Sequence, residues 1–242
     1  MFIIRFFQSG GFFMFPILLT LLVGLAIAFE RWVHLKRVRD SNQAVWDSLY
    51  PALEKGEFDK ARDMASKDKS TMAQMLGMGL ARQGAVRRRE DIEIAMEESM
   101  MEIIPQLEKR TPYLALLSNI ATLFGLLGTI MGLIMAFAAV ATASPASKAA
   151  LLAASISEAM NCTAFGLMSA IPLLLFHARL TTTTGQIVNS LEMASVKALN
   201  TISNFTKRQF DRSPILPGTS LTGSPVLPSV NLTGADNGQT IS

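Results

Sequence analysis

Three long stretches without charge constrain this chain more than any other feature. Residues 6–29 and 111–147 contain no Asp, Glu, Lys or Arg, and residues 149–176 contain only Glu158. Because about 20 apolar residues cross the ~30 Å hydrocarbon layer of a bilayer, each stretch is long enough for a membrane-spanning helix. Ser144, Pro145 and Ser147 indicate a turn between the second and third stretches. The sequence therefore predicts three transmembrane helices and no soluble core of the chain's own.

Basic residues predict how these helices are oriented. Of the 22 Lys and Arg residues, fifteen lie between Arg31 and Pro112 and five follow Phe176. Since Lys and Arg beside a span favour the cytoplasmic side, we expect the N-terminus outside the cytoplasm and the C-terminus inside it. Ala26-Ile27-Ala28 also fits signal-peptide cleavage, but the basic cluster directly after it favours an uncleaved span. A net charge of +3 is too balanced to indicate a nucleic-acid partner.

The segments between and after the spans have their own patterns. The region before the second span contains helix-like stretches at 42–53, 58–66, 71–83 and 91–107, and an amphipathic pattern follows the third span. The predicted organisation is an N-terminal segment with the first span at 1–30, a cytoplasmic helical region at 31–112, the second span at 113–142, a periplasmic loop at 143–150, the third span at 151–180, a cytoplasmic amphipathic helix at 181–212 and a disordered tail at 213–242.

Glu158 is the only acidic residue within the predicted spans. At 1.5 Å per residue it lies about 10 Å from the outer end of the third span. An ionisable side chain at this depth costs several kcal/mol against lipid, so it should face other helices or water. Two interpretations follow, an ion path or a neutral structural acid that is hydrogen-bonded to a neighbouring helix. Asn161, three residues later, makes this site more polar.

Hydroxyl side chains extend the polar site to the second span. Asn119, Thr122 and Thr129 lie within about 60° of one another on a helical wheel. Thr129 and Thr163 are each seventeen residues from the loop centre near Ala146, which predicts that they lie at the same depth. They could form one polar ring, although threonine bonding to the preceding helical turn is a competing explanation for each residue. On an ideal helix Thr163 and Glu158 point about 140° apart.

Small residues predict close contact between the second and third spans. Gly128 and Gly132 have GxxxG spacing, Gly125 lies one turn before them, and Gly166 occupies the third span. Residues without side chains allow helices in a membrane to approach closely. We expect these four glycines to pack the two spans together.

Catalytic and metal-binding patterns are missing from the sequence. The single cysteine, Cys162, excludes an internal disulfide, and His34 and His177 lack the spacing of metal ligands. No nucleophile–base pair or phosphate-binding loop is recognisable. We therefore expect no enzymatic activity, metal or cofactor.

Two blocks of sequence resemble the MotA/TolQ/ExbB proton-channel family, most closely its three-span ExbB and TolQ branch. Residues 123–132, Leu-Phe-Gly-Leu-Leu-Gly-Thr-Ile-Met-Gly, are similar to the family's GLLGTVxG segment. Residues 156–159, 163–167 and 170–172 are similar to its IAEAL, TAIGL and AIP segments. The chain departs from the family pattern at Ala121-Thr122, where Ala-Pro is usual, and at Asn161-Cys162.

The resemblance implies an all-α protein of the bacterial inner membrane, with a periplasmic N-terminus, that assembles as a ring, usually a pentamer. It maps the family's pore glutamate onto Glu158 and its pore threonines onto Thr129 and Thr163, with Asn161 and Thr122 adding polarity. It also implies a partner resembling ExbD or TolR whose single span occupies the pore, and an envelope-spanning transducer resembling TonB or TolA. Proton flow would then do mechanical work. The alternative is a non-conducting membrane scaffold in which Glu158 is structural.

Overall fold

The computed structural model of the chain describes residues 11–83 and 89–212, the last four by their backbone. The helices in this part of the chain are α1 (Met14–Glu54), α2 (Phe58–Lys67), α3 (Thr71–Gln83), α4 (Arg89–Glu108), α5 (Thr111–Thr142) and α6 (Lys148–Arg212). The predicted all-α class is confirmed. The predicted disordered tail at 213–242 lies outside the described residues, as do the first ten residues and 84–88.

Three helical regions are long and apolar enough to cross a membrane: α1, the combined α4–α5 region Arg89–Thr142, and Lys148–Arg208 of α6. Their most apolar windows have mean hydropathies of 1.8, 2.3 and 1.7. This confirms three candidate spans among the described residues. With 41 residues in α1 and 65 in α6, these helices are about 60 and 100 Å long at 1.5 Å per residue. Both therefore extend well beyond a bilayer.

The shorter helices bury an apolar core against the long ones. Helices α2, α3 and α4 pack against the C-terminal halves of α1 and α6, and the fully buried side chains there include Leu35, Leu49, Leu53, Met75, Leu76, Leu80 and Met96. The expectation that the chain has no core of its own is therefore wrong. The reason is that the short helices are amphipathic and cover the apolar sides of the two long helices.

Gly56 ends α1 and allows the chain to turn into α2. Its φ is +76°, a conformation that costs glycine little. Its N–H donates to the Leu53 carbonyl at 3.0 Å, and the Glu57 N–H donates to the Ala52 carbonyl at 3.0 Å. These two bonds form a Schellman motif. Phe205 of α6 packs beside Gly56, so the ends of α1 and α6 meet here.

Asn42 fixes the start of α3 from the middle of α1. Its side chain is buried, and its carbonyl oxygen accepts bonds from the Thr71 hydroxyl at 3.0 Å and the Met72 N–H at 3.1 Å. The first N–H groups of a helix have no partner within the helix. Asn42 therefore supplies a cap from a distant part of the sequence.

The break between α4 and α5 is held by two arginines. Arg110 has a φ of 67° and its guanidinium donates to both oxygens of Glu30 at 2.6 and 2.7 Å. Arg31 is buried and donates to the carbonyl of Leu107, in the last turn of α4. Pro112 then stands in the first turn of α5, where its missing N–H costs nothing. This junction positions the start of α5.

Candidate functional site

Helices α5 and α6 lie so close together that glycine is required at their contact. A Cβ atom built on Gly166 would lie 2.9 Å from the Ala121 carbonyl oxygen and 3.0 Å from Cα of Gly125. A Cβ built on Gly132 would lie 2.8 Å from Cβ of Ala159. Because backbone atoms cannot move aside, larger residues would separate the helices.

Gly128, the other glycine of this group, faces the buried thiol of Cys162. All four glycines that the sequence singled out therefore lie on the α5–α6 contact in this structure.

Two hydroxyl groups bond across the same contact. The Thr163 hydroxyl donates to the Gly125 carbonyl at 2.9 Å, and the buried Ser118 hydroxyl donates to the Ala170 carbonyl at 2.9 Å. Thr122 and Thr129 behave differently, because each donates within α5, to Ser118 at 3.2 Å and to Leu126 at 2.6 Å. The structure thus joins Thr163 to the neighbouring helix and leaves the other two threonines in local bonds.

The register of α5 against α6 is offset from the expected one. Thr163 lies opposite Gly125, and Gly125 is about one turn before Thr129 in α5. Gly128, next to Thr129, lies opposite Cys162. Thr129 is therefore level with the region of Asn161. The offset arises because the turn between Thr142 and Lys148 is centred near residue 145, one residue before the centre used for the prediction.

Glu158 lies on α6 near the start of the apolar segment, and its side chain is exposed. Its carboxyl group packs against Gly11, which has a φ of +72° and precedes α1. A side chain at position 11 would displace this flexible carboxyl group, and the positive φ is the stronger reason for glycine there. No sequence pattern indicated this approach of Gly11 to Glu158.

The predicted site residues form two groups in the single chain. Thr122, Thr129 and Thr163 flank the glycine contact, whereas Glu158 points towards Gly11, about 140° from Thr163 on an ideal helix. Asn161 is half-buried and lies between Glu158 and Thr163 along α6. The structure therefore does not bring Glu158 and the threonines into one hydrogen-bonded cluster within a protomer.

Positive charge accumulates at the opposite end of the spans, near the α4–α5 junction. Burial, and then the positive charge of Arg31, lowers the pKa of His34, which lies beyond the first apolar segment. This histidine is therefore neutral at pH 7. Sequence reasoning identified the basic cluster but missed the burial of Arg31, for which the sequence has no periodic signal.

Metal chemistry has no visible basis in the described residues. Among them, no group of three or more His, Cys, Asp or Glu side chains could hold a metal ion. What the α5–α6 arrangement offers instead is a carboxyl group, hydroxyl groups and tightly packed helices within an apolar region.

Sequence comparisons place the same segment in a known group. The sequence model of the MotA/TolQ/ExbB proton channel family matches residues 67–193, just over half of the chain. This match covers α3, α4, α5 and the first two thirds of α6. It includes the glycine contact, the hydroxyl bonds and Glu158.

Individual relatives agree with the match. A protein from Synechocystis named putative biopolymer transport protein ExbB-like 1 is 32% identical over 68% of this chain and 65% of its own length. Tol-Pal system protein TolQ from Haemophilus influenzae is 33% identical over 50% of this chain and 51% of its own length. ExbB-like 3 from Synechocystis is 29% identical over 70% of this chain and 80% of its own length. This chain thus spans about two thirds of the length of ExbB-like 1 and about half of the length of TolQ.

Proposed function

Because this chain belongs to the MotA/TolQ/ExbB proton channel family, we propose that it is the channel-forming subunit of a proton-driven energy-transducing complex. In this proposal several copies, five by the family pattern, form a ring in the bacterial inner membrane. The α5 and α6 helices of each copy face the central path. Helix α1 packs on the outside of the ring.

The observation that carries the proposal is the exposure of Glu158 within an apolar span. A carboxylate that faces lipid at this depth costs several kcal/mol. The cost disappears if a neighbouring copy and a water-filled lumen cover the exposed side of α6. A ring therefore supplies the environment that Glu158 lacks in the single chain.

The other predicted residues contribute to this path in different ways. Thr129 and Asn161 lie at one level and supply polar groups beside Glu158, while Thr163 supports the wall through its bond to Gly125. Thr122 continues the polar edge of α5 towards its start. Glu158 shapes the proton path, and the carrier of the proton is an acidic residue on the partner's span.

The partner in this proposal resembles ExbD or TolR and places a single span in the centre of the ring. Proton flow would rotate or shift that span and perform work on a transducer resembling TonB or TolA. Moving one charge across 100 mV releases about 2.3 kcal/mol, which is enough to bias such a movement.

Substitution of Glu158 tests the proposal. Glu158→Gln keeps the shape of the side chain, so rings and partner binding should persist. Proton flux should fall about tenfold or more, because a positioned acid–base group typically contributes on the order of 10²-fold or more. Glu158→Asp should retain part of the flux. The measurement is potential-driven proton uptake into proteoliposomes that contain the complex purified with its partner.

A matched control and the scaffold alternative make this test decisive. Glu192→Gln changes an exposed acid on the same helix outside the apolar segment and should leave flux unchanged. If Glu158→Gln destroys the ring and flux together, Glu158 is structural and the chain is a scaffold. If assembled Glu158→Gln rings conduct normally, the proposed role of this residue is wrong.

A further inference from the structure

A cavity of about 410 Å³ lies at the inner end of the spans. It is enclosed by the end of α4, the start of α5 and the middle of α6. Its floor is apolar, with Ile104 and Val188 among the lining residues. Its polar lining consists of Glu108, Thr111, His177, Thr181, Thr184 and Asn189.

Two of these polar groups have no partner among the residues that the structure describes. Thr111 and Thr184 are each only 4% exposed, and neither hydroxyl oxygen is hydrogen-bonded to any described residue. Buried hydroxyl groups are nearly always hydrogen-bonded, either to protein or to ordered water. A cavity of this size with several polar groups has room for water molecules, each of which needs two to four polar partners. The two threonines therefore indicate that water fills the cavity.

The cavity also lies on the same side of each helix as the threonines of the proposed path. Thr111 is eighteen residues from Thr129 on α5, and Thr181 is eighteen residues from Thr163 on α6. Eighteen residues make about five whole turns and rise about 27 Å. Each pair is therefore aligned on one face, and both helices reach the same level near the inner membrane boundary.

We propose that this cavity is a hydrated proton-release site, through which protons leave the path towards the cytoplasm. The proposal rests on the proposed function, since it extends the same path beyond Thr129 and Thr163. The titratable side chains that line it are Glu108, which is exposed, and His177, which is half-buried.

The proton balance of the site is simple. A hydronium ion that arrives along the path passes its proton to an unprotonated ring nitrogen of His177, which becomes imidazolium, and the hydronium ion becomes water. The imidazolium passes the proton through cavity water to the Glu108 carboxylate, and the resulting carboxylic acid releases it to cytoplasmic water. Both groups return to their starting forms. The Thr111 and Thr184 hydroxyls hold the bridging water molecules.

Hydration of the cavity can be tested without any transport assay. In full-length protein carrying Cys162→Ala, Thr184→Cys should react with a small water-soluble thiol reagent. Ala198→Cys, at a buried position of the same helix that does not line the cavity, should stay unreactive. If Thr184→Cys reacts only with a membrane-soluble reagent, lipid fills the cavity and the proposal is overturned.

Transfer through the cavity is tested in the complex purified with its partner. Glu108→Gln and His177→Gln should each lower proton flux severalfold while rings still form. The double change Thr111→Val and Thr184→Val should lower it as well, since the bridging water loses its partners. Glu97→Gln, an exposed acid on α4, and Thr182→Val, an exposed threonine that bonds within α6, are matched controls and should have no effect.

Failure of this inference is distinguishable from failure of the proposed function. One possible result is that Glu158→Gln loses flux while the cavity variants Glu108→Gln, His177→Gln and the double threonine change keep it. That result would overturn the release site alone and would still support the proposed channel function. Normal flux in Glu158→Gln rings would instead reject the assigned path and the release site that extends it.

Discussion

Gly166 shows how strongly the α5–α6 contact depends on the absence of a single methyl group. Its neighbours across the contact are the carbonyl oxygen of Ala121 and the Cα atom of Gly125, both parts of the helix backbone. Gly185, lower on the same helix, has nothing within 4 Å of the position where a Cβ would stand. The two glycines therefore occupy opposite environments on one helix.

Gly166→Ala should destabilise the protein, because the added methyl group pushes two helix backbones apart. Overpacking of this kind typically costs about 1–3 kcal/mol. Gly185→Ala should be neutral or should stabilise the protein by up to about 1 kcal/mol, since alanine is the better helix former. The measurement is reversible unfolding of the purified protein in mixed micelles with increasing denaturing detergent, followed by circular dichroism. Equal stability of the two variants would contradict the close contact.

Residue patterns predicted some contacts and missed others for physical reasons. The positions of Gly125, Gly128 and Gly166 could be anticipated, because small residues at helical spacing allow close packing. The bond from Ser118 to Ala170 could not, since an isolated serine in an apolar run gives no sign of its partner. The approach of Gly11 to Glu158 is also invisible in sequence, because it depends on how the chain enters α1.

At the scale of elements, the start of α3 is capped both by the residue before it and by a distant one. Ser70, directly before the helix, is the cap that local sequence rules predict, because its hydroxyl accepts from the Ala73 N–H at 3.2 Å. Asn42, twenty-nine residues before Thr71, adds bonds to the Thr71 hydroxyl and the Met72 N–H that local rules do not predict. The position of α3 against α1 is therefore fixed by a tertiary hydrogen bond.

Asn42→Ala should destabilise the helices outside the spans by about 1–2 kcal/mol, because it leaves the Met72 N–H buried without a partner. Gln43→Ala is the matched control. Its exposed side chain bonds only to Asp47 one turn away, so the change should stay within about 0.5 kcal/mol. Hydrogen exchange of the amide groups at the start of α3 measures both. Equal protection in the two variants would exclude the cap.

The sequence predicted the types of these elements better than their extents. Apolar runs and amphipathic periods identified all the helices within the described residues. The amphipathic pattern after the third span predicted that this span continues as a helix, and α6 is one helix of 65 residues. The continuity of α1 over 41 residues was not predicted, because the charge of the sequence changes sharply where a helix leaves a membrane although its backbone is unaffected. The buried core of α2–α4 was missed, since each short helix supplies only a few apolar residues.

At the scale of the whole molecule, the long helices give the protein two different halves. One half is a three-helix apolar region with exposed side chains such as Leu123, Phe137 and Leu175. The other is a helical body with a buried core and an exposed charged surface. Helices α1 and α6 each pass from one half to the other without a break, whereas α4–α5 is interrupted near Arg110. A change in one half can therefore be transmitted through two continuous helices, as the proposed coupling of ion flow to movement requires.

Orientation in the membrane is the prediction that concerns the molecule as a whole. The turn at Ser144 joins the outer ends of α5 and α6, and Ser66 lies on α2 in the opposite half; both residues are exposed. The basic residues after α1's apolar segment predict that the half containing Ser66 is cytoplasmic. In full-length protein carrying Cys162→Ala, a membrane-impermeant thiol reagent should label Ser144→Cys in intact cells. Ser66→Cys should react only after the inner membrane is permeabilised. The opposite labelling pattern would show that the protein has the inverted orientation. Protons would then reach the cavity before Glu158, so the cavity could not be a release site.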